Sequence, residues 1–293
     1  MWFSRALAYS LILVILPPHE IGAQASTTET YIEQGDAAWN DRATGHSGSR
    51  AASGPIGEAV HFYELAVGTD PKHLEARWKL LRALYFQGEF AVPKHDAKLE
   101  IFMRGKELAE ESIDILAAPV GGRDLFKQST SIEIARLLAG QPDAASIYHW
   151  AAAHWGLVGR VGGIFAAVRQ GVAQRVRDYA LITTALDERI ENAGGHRILG
   201  RLHTEAPRIP FITGWVDHQL AITELERAVE LVPDDLLSRL YLVEALMKFS
   251  KHRRGEALSM LDDLLTDSPD PRWIVECARV LEDALVLRDR FDG

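Results

Sequence analysis

Three segments of this chain carry the same residue types at the same offsets. Ala59, Tyr63, Ala66 and Pro71 stand at relative positions 0, 4, 7 and 12. Ala221, Leu225, Ala228 and Pro233 repeat the spacing, and so do Ala257, Leu261, Leu264 and Pro269. Offsets of 4 and 7 fall on one face of an α-helix. The small residues let a neighbouring helix approach, the large one fills the groove between them, and proline ends the helix. A chain built this way stacks helix upon helix.

The prolines at 233 and 269 lie 36 residues apart, close to the roughly 34-residue period of tetratricopeptide repeats. First-helix signatures agree. Trp78, Leu81 and Tyr85 follow Pro71 with the spacing W-x2-L-x3-Y, although Arg82 takes the place usually held by glycine. Leu240, Val243 and Met247 take the same offsets after Pro233, and Tyr31, Gly35 and Ala38 supply a first helix at the start. Between that helix and its partner, Gly45–Gly57 reads as an inserted loop. Gly105, Ala109 and Ser112 form a weaker second helix. The stretches Leu74–Gln87, Leu99–Leu116, Ile132–Leu138, Ser146–Leu157 and Leu220–Leu231 have apolar residues at helical spacing, and strand signals are scarce.

The centre, roughly residues 120–215, departs from the repeat. The sequence predicts a helix over Asp143–Trp155 with Asp143 as its cap. Gly156, Gly159, Gly162 and Gly163 weaken or bend it. A second helix is expected over Val168–Ile190, and Asn192-Ala193-Gly194-Gly195 reads as its stop. The expected fold class is all-α, an α-solenoid of tetratricopeptide-like helix pairs with an irregular central section.

Of the 293 residues, 47% are hydrophobic and 25% charged, which suits a globular core and excludes wholesale disorder. The net charge of −9 argues against a nucleic-acid partner, which calls for a basic excess. Arg5, the apolar run Leu7 to Leu16, the breakers Pro17-Pro18 and the motif Ala23-Gln24-Ala25 read as an export leader cleaved after residue 25. The apolar run is short of the ~20 residues that span a bilayer. Residues 26–293 are then one helical domain, expected to be periplasmic and soluble. Cys277 is the single cysteine, so no intrachain disulfide is expected. It lies among Val275, Ala278 and Val280, where a buried, inert thiol is expected.

Several segments together resemble the T-component proteins of TRAP transporters. They are Gly35-Asp36-Ala37-Ala38-Trp39 with Arg42, Tyr63-Glu64-Leu65-Ala66, Asp70-Pro71, Tyr148-His149-Trp150-Ala151-Ala152, Gly194-Gly195-His196, Leu199-Gly200 and the repeat at Leu220–Pro233. The resemblance spans about residues 30 to 250. It implies an exported, non-catalytic, all-helical protein that assembles as a homotrimer beside the periplasmic solute-binding subunit. Such a protein helps pass an apolar or organic-acid ligand. Many members are lipoproteins, whereas this chain has no cysteine at the expected cleavage site.

If the resemblance holds, Tyr148, Trp150, His154, Trp155, Gly195, His196 and His203 are the residues to line a ligand hole or pore. Trp150 and His154 share one helix face, and Tyr148, Ala152 and Trp155 share another. Aromatic stripes at this spacing also build cores and oligomer contacts, and the spacing does not separate these roles. His196 and His203 are too far apart to share a metal ion without a third element, and His218 lies farther on beside Asp217. The histidine pair of H-E-x-x-H is lacking, so no metal or cofactor is expected. The glycines at 156–163 match neither phosphate-loop pattern, and no G-x-S-x-G occurs. Two other functions stay open: a tetratricopeptide adaptor in cell-envelope assembly, and a metal-dependent hydrolase around His149, His154 and His196.

Overall fold

A computed structural model describes the backbone of residues 19–292 and the side chains of residues 27–291 other than 164 and 165. The side chains of the expected leader and its cleavage motif lie outside this range. Among the described residues the chain is all-α, with about 79% of the molecule helical and no named strand. The helices in order are α1 (His19–Asn40), α2 (Ser53–Thr69), α3 (Leu74–Phe86), α4 (His95–Ala117), α5 (Gly122–Gln128), α6 (Ser131–Leu137) and α7 (Ala144–Gly162). There follow α8 (Ile164–Arg169), α9 (Val172–Leu186), α10 (Ile190–Glu205), α11 (His218–Leu231), α12 (Leu236–Phe249), α13 (Arg254–Thr266) and α14 (Ile274–Asp292).

The helical repeat positions at offsets 0, 4 and 7 are fully buried. Ala59, Tyr63 and Ala66 on α2, Ala221, Leu225 and Ala228 on α11, and Ala257, Leu261 and Leu264 on α13 have no exposed surface. Each helix mostly packs on the next: α1 on α2, α2 on α3, α3 on α4, and α10 through α14 in turn. The centre breaks this order, since α4 packs on α7 and α7 on α9. The short helices α5 and α6 fill the interval, and α6 opens with a capping box in which Thr130 and Glu133 satisfy each other's backbone N–H.

Three expectations are corrected. The inserted loop covers residues 41–52 only, because Ser53 to Gly57 already belong to α2. The helix expected at Val168–Ile190 is two: α8 ends at Arg169, and α9 starts after Gly171, whose φ of 64° lies in the left-handed region. The stop expected at Asn192–Gly195 falls earlier, since α9 ends at Leu186. Glu191, Asn192 and Ala193 form a left-handed turn with φ of 49°, 58° and 57°, and Gly194 and Gly195 lie buried within α10.

The inserted loop has a structural task. Arg42 at its start is almost fully buried, and its Nη2 and Nε donate to Glu276 Oε1 on α14 at 2.9 and 3.1 Å. The same guanidinium lies 4.4 Å from the Trp39 ring centre and 4.8 Å from that of Trp273. Farther along, Ser49 donates its hydroxyl to Glu282 Oε2 at 2.5 Å. Val275 completes the apolar cluster formed by Trp39, Tyr63, Leu84 and Phe86. The last helix therefore closes onto the first repeat, and the helical array forms a ring where an open solenoid would leave its concave face accessible.

Candidate functional site

The ring encloses a cavity of about 1150 Å³, partly open to solvent. Its wall draws on α3, α7, the 191–201 segment, α12 and α14. Aromatic faces come from Trp39, Tyr85, Trp150 and Tyr241. The Tyr85 and Trp150 rings lie 5.2 Å apart between centroids with their planes tilted by 54°, so the packing of α3 against α7 sets two aromatic rings side by side in the wall.

Polar groups are interleaved with these rings. Arg82 lies one helical turn before Phe86, which is the position left for glycine in a typical repeat. Its guanidinium lies 4.1 Å from the Trp39 ring centre and 5.0 Å from that of Trp78. Among the described residues no carboxylate comes within ion-pair distance of it, and its Nε is buried with no hydrogen-bond partner. Glu191 faces the same cavity and accepts a hydrogen bond from Trp150 Nε1 at 3.2 Å. Burial raises its carboxyl above the usual range, against the opposing pull of Arg82 and Trp150.

Glu191 reaches this position through the left-handed turn. Such backbone costs roughly 1–2 kcal/mol for each non-glycine residue. Arg197 holds the turn in place: its Nη1 donates to the Asn192 carbonyl at 2.9 Å and its Nη2 to the Glu191 carbonyl at 3.1 Å. Nη1 also meets Asp235 at 3.0 Å, tying the turn to the N-terminus of α12. Strain kept by a surrounding network commonly marks a functional position. The neighbouring guanidiniums are already paired, Arg160 with Glu89 and Arg201 with Glu244.

His149 is the other notable group. It is 3% exposed, its ring stands edge-on to Trp150 at 4.8 Å, and its Nδ1 has no partner. Burial, reinforced by the positive charge of Arg197, pushes its pKa down to about 3, so the ring is neutral. Gly194 makes room for it, since a Cβ there would stand 2.2 Å from the imidazole.

The seven residues expected to line a hole are dispersed. Trp150 lines the cavity. Tyr148, 1% exposed, turns away and stacks edge-on with Tyr179 at 5.4 Å. Trp155 donates to Glu110 at 2.8 Å on α4 and lies beneath Lys106. His154 is fully buried, bonded to the Leu81 carbonyl at 2.9 Å and walled by Gly105. Gly195 packs against Thr184 of α9. His196 pairs with Glu224 at 2.7 Å, and His203 accepts from the Asp217 amide at 3.0 Å. These six serve helix contacts, because α7 and α10 each pack on neighbours with most of their circumference and leave one stripe for the cavity.

Two smaller corrections follow from the same packing. Asp143 stands at the N-cap of α7 as expected, but its side chain makes no capping hydrogen bond; it accepts from Trp78 Nε1 at 2.9 Å, and its own φ is 61°. Cys277 is half-buried on the cavity wall, and burial raises its thiol pKa. Among the described residues no group of three or more His, Cys, Asp or Glu converges as a metal site, and His149, His154 and His196 point into different contacts. No described helix is long and apolar enough to cross a membrane.

Sequence reasoning missed Arg82 and Glu191 as site residues. The glycine position occupied by Arg82 was the available signal; for Glu191 there was none, because left-handed backbone at Glu-Asn-Ala follows no composition rule. Compared with known proteins, the chain matches no family model, and no curated protein aligns with it significantly.

Proposed function

We propose that this chain is a non-catalytic periplasmic binding protein, the T-component-like accessory subunit of a TRAP-type transporter, working beside the solute-binding subunit. The observation that carries the reading is the cavity. It is of a size suited to a small molecule, walled by aromatic faces, and edged by side chains of which Arg82 Nε and His149 Nδ1 have no hydrogen-bond partner among the described residues. An adaptor that reads peptides needs an open concave groove, and here the contact of Arg42 with Glu276 closes the ring. The resemblance residues support the same reading from another side. Trp39 and Arg42 build the closure, and Gly194 shapes the wall behind His149.

The test is affinity purification of the tagged protein from the periplasm of the native host, followed by native mass spectrometry. Recovery of a homotrimer together with a solute-binding subunit is expected. A monomer recovered with outer-membrane or cell-wall assembly proteins would replace this reading with that of an envelope adaptor.

A further inference from the structure

The inner wall of the cavity holds one cation and one carboxyl group that face the same space and are not paired with each other. Arg82 lacks an ion-pair partner among the described residues, and its Nε is buried without a hydrogen bond. Glu191 has one neutral donor, Trp150 Nε1, and lies within the reach of Arg82's field without contacting it. The Arg82 guanidinium lines the cavity with no carboxylate to neutralise it, so an anion bound there would supply its missing counter-charge. The same wall carries the rings of Trp150 and Tyr85, 5.2 Å apart.

A dicarboxylate or phosphate would need a second uncommitted cation. The other guanidiniums on the wall have carboxylate partners: Arg160 has Glu89, Arg197 has Asp235, Arg201 has Glu244, Arg239 has Asp267, Arg272 has Asp270, and Arg279 has Glu282 at 3.8 Å. A simple monocarboxylate would satisfy Arg82 and be repelled by Glu191. An amine would satisfy Glu191 and be repelled by Arg82. A molecule carrying both charges meets both groups. We propose that the cavity binds an amino-acid-type zwitterion with a large apolar side chain: its carboxylate pairs with Arg82, its ammonium donates to Glu191, and its side chain lies on Trp150 and Tyr85. The backbone strain at residues 191–193 then has a purpose, since it accompanies a Glu191 carboxyl on the wall that Arg82 also lines. The inference deepens the binding-protein reading and rests on it.

The experiment is isothermal titration calorimetry on the purified protein with three probes that share a phenylethyl skeleton and differ in the charged groups they carry: L-phenylalanine, 3-phenylpropionate and 2-phenylethylamine. L-phenylalanine is expected to bind at least about tenfold more tightly than either single-charge analogue. In Glu191→Gln the preference over 3-phenylpropionate is expected to vanish, and in Arg82→Gln the preference over 2-phenylethylamine. The wild-type comparison stands even where a variant folds poorly. Equal affinity for 3-phenylpropionate and L-phenylalanine overturns the zwitterion assignment and leaves the binding-protein reading in place. No heat with any probe also overturns it, and the purification experiment above then decides separately whether the protein serves a transporter.

Discussion

At the scale of single residues, the most exacting contacts are those between a glycine and an imidazole on the next helix. Gly194 faces His149 and Gly105 faces His154, each with a hypothetical Cβ 2.2 Å from the ring. Gly194→Ala is expected to destabilise the protein by about 1–3 kcal/mol through overpacking. Gly57→Ala, on α2 with open space around it, is expected to stabilise by about 0.5–1 kcal/mol through helix propensity. Urea denaturation of both variants checks the contrast. The histidines also set an acid limit. Burial, with Arg197 adding to it, lowers His149 to about 3, and burial lowers His154 to about 4, whereas the unfolded chain keeps the ordinary value near 6.5. Between these values the unfolded state binds the proton and the folded state does not, so stability falls as pH drops below about 6.5. The expected loss is on the order of 1 kcal/mol per pH unit for each ring. His149→Phe should be shallower by that amount in denaturation curves taken from pH 7 to pH 4.5; an unchanged slope would show that the ring is protonated in the fold.

At the scale of elements, the sequence showed the repeat helices clearly and the centre poorly, for different physical reasons. Ala221, Leu225 and Ala228 were readable because close helix packing demands small and large residues at fixed offsets, and the structure buries all three completely. Leu81 and Tyr85 were placed on α3 by the same logic. The turn at 191–193 was misread because asparagine and two glycines normally end a helix. Here the glycines serve close approach inside α10, and Arg197 supplies the hydrogen bonds that keep three left-handed residues in place. The side chain of Asn192 is exposed, so its backbone can be tested almost alone. Asn192→Val is expected to cost about 1–2 kcal/mol, because a β-branched residue tolerates left-handed backbone badly, while Asn192→Gly is neutral or slightly stabilising. Thermal unfolding of the pair measures it, and equal melting temperatures would mean that the turn is not left-handed in solution.

At the scale of the whole molecule, the cavity exists because the two ends of the array meet. No local pattern announces a contact between residues 42 and 276, and the wall residues run from Trp39 to Asp283, so neither the closure nor the cavity could be assembled from spacing. What the sequence did offer was Trp39 and Arg42 within one of the resemblance motifs, whose role becomes clear only in the fold. Arg42 is caged by Trp39, Phe86 and Trp273, and Glu276 keeps a second oxygen, Oε2, buried without a partner. Burial raises the Glu276 carboxyl pKa against the pull of Arg42. Removing the guanidinium leaves that carboxylate uncompensated, a change that typically costs about 3–5 kcal/mol. The most direct measurement is therefore a double-mutant cycle between Arg42→Met and Glu276→Gln, read by urea denaturation. A closed ring predicts a coupling energy of at least about 1.5 kcal/mol, with the double variant recovering part of the single-variant loss. Additivity within about 0.3–0.5 kcal/mol would show that the two ends do not meet, and would leave the cavity without its closing wall.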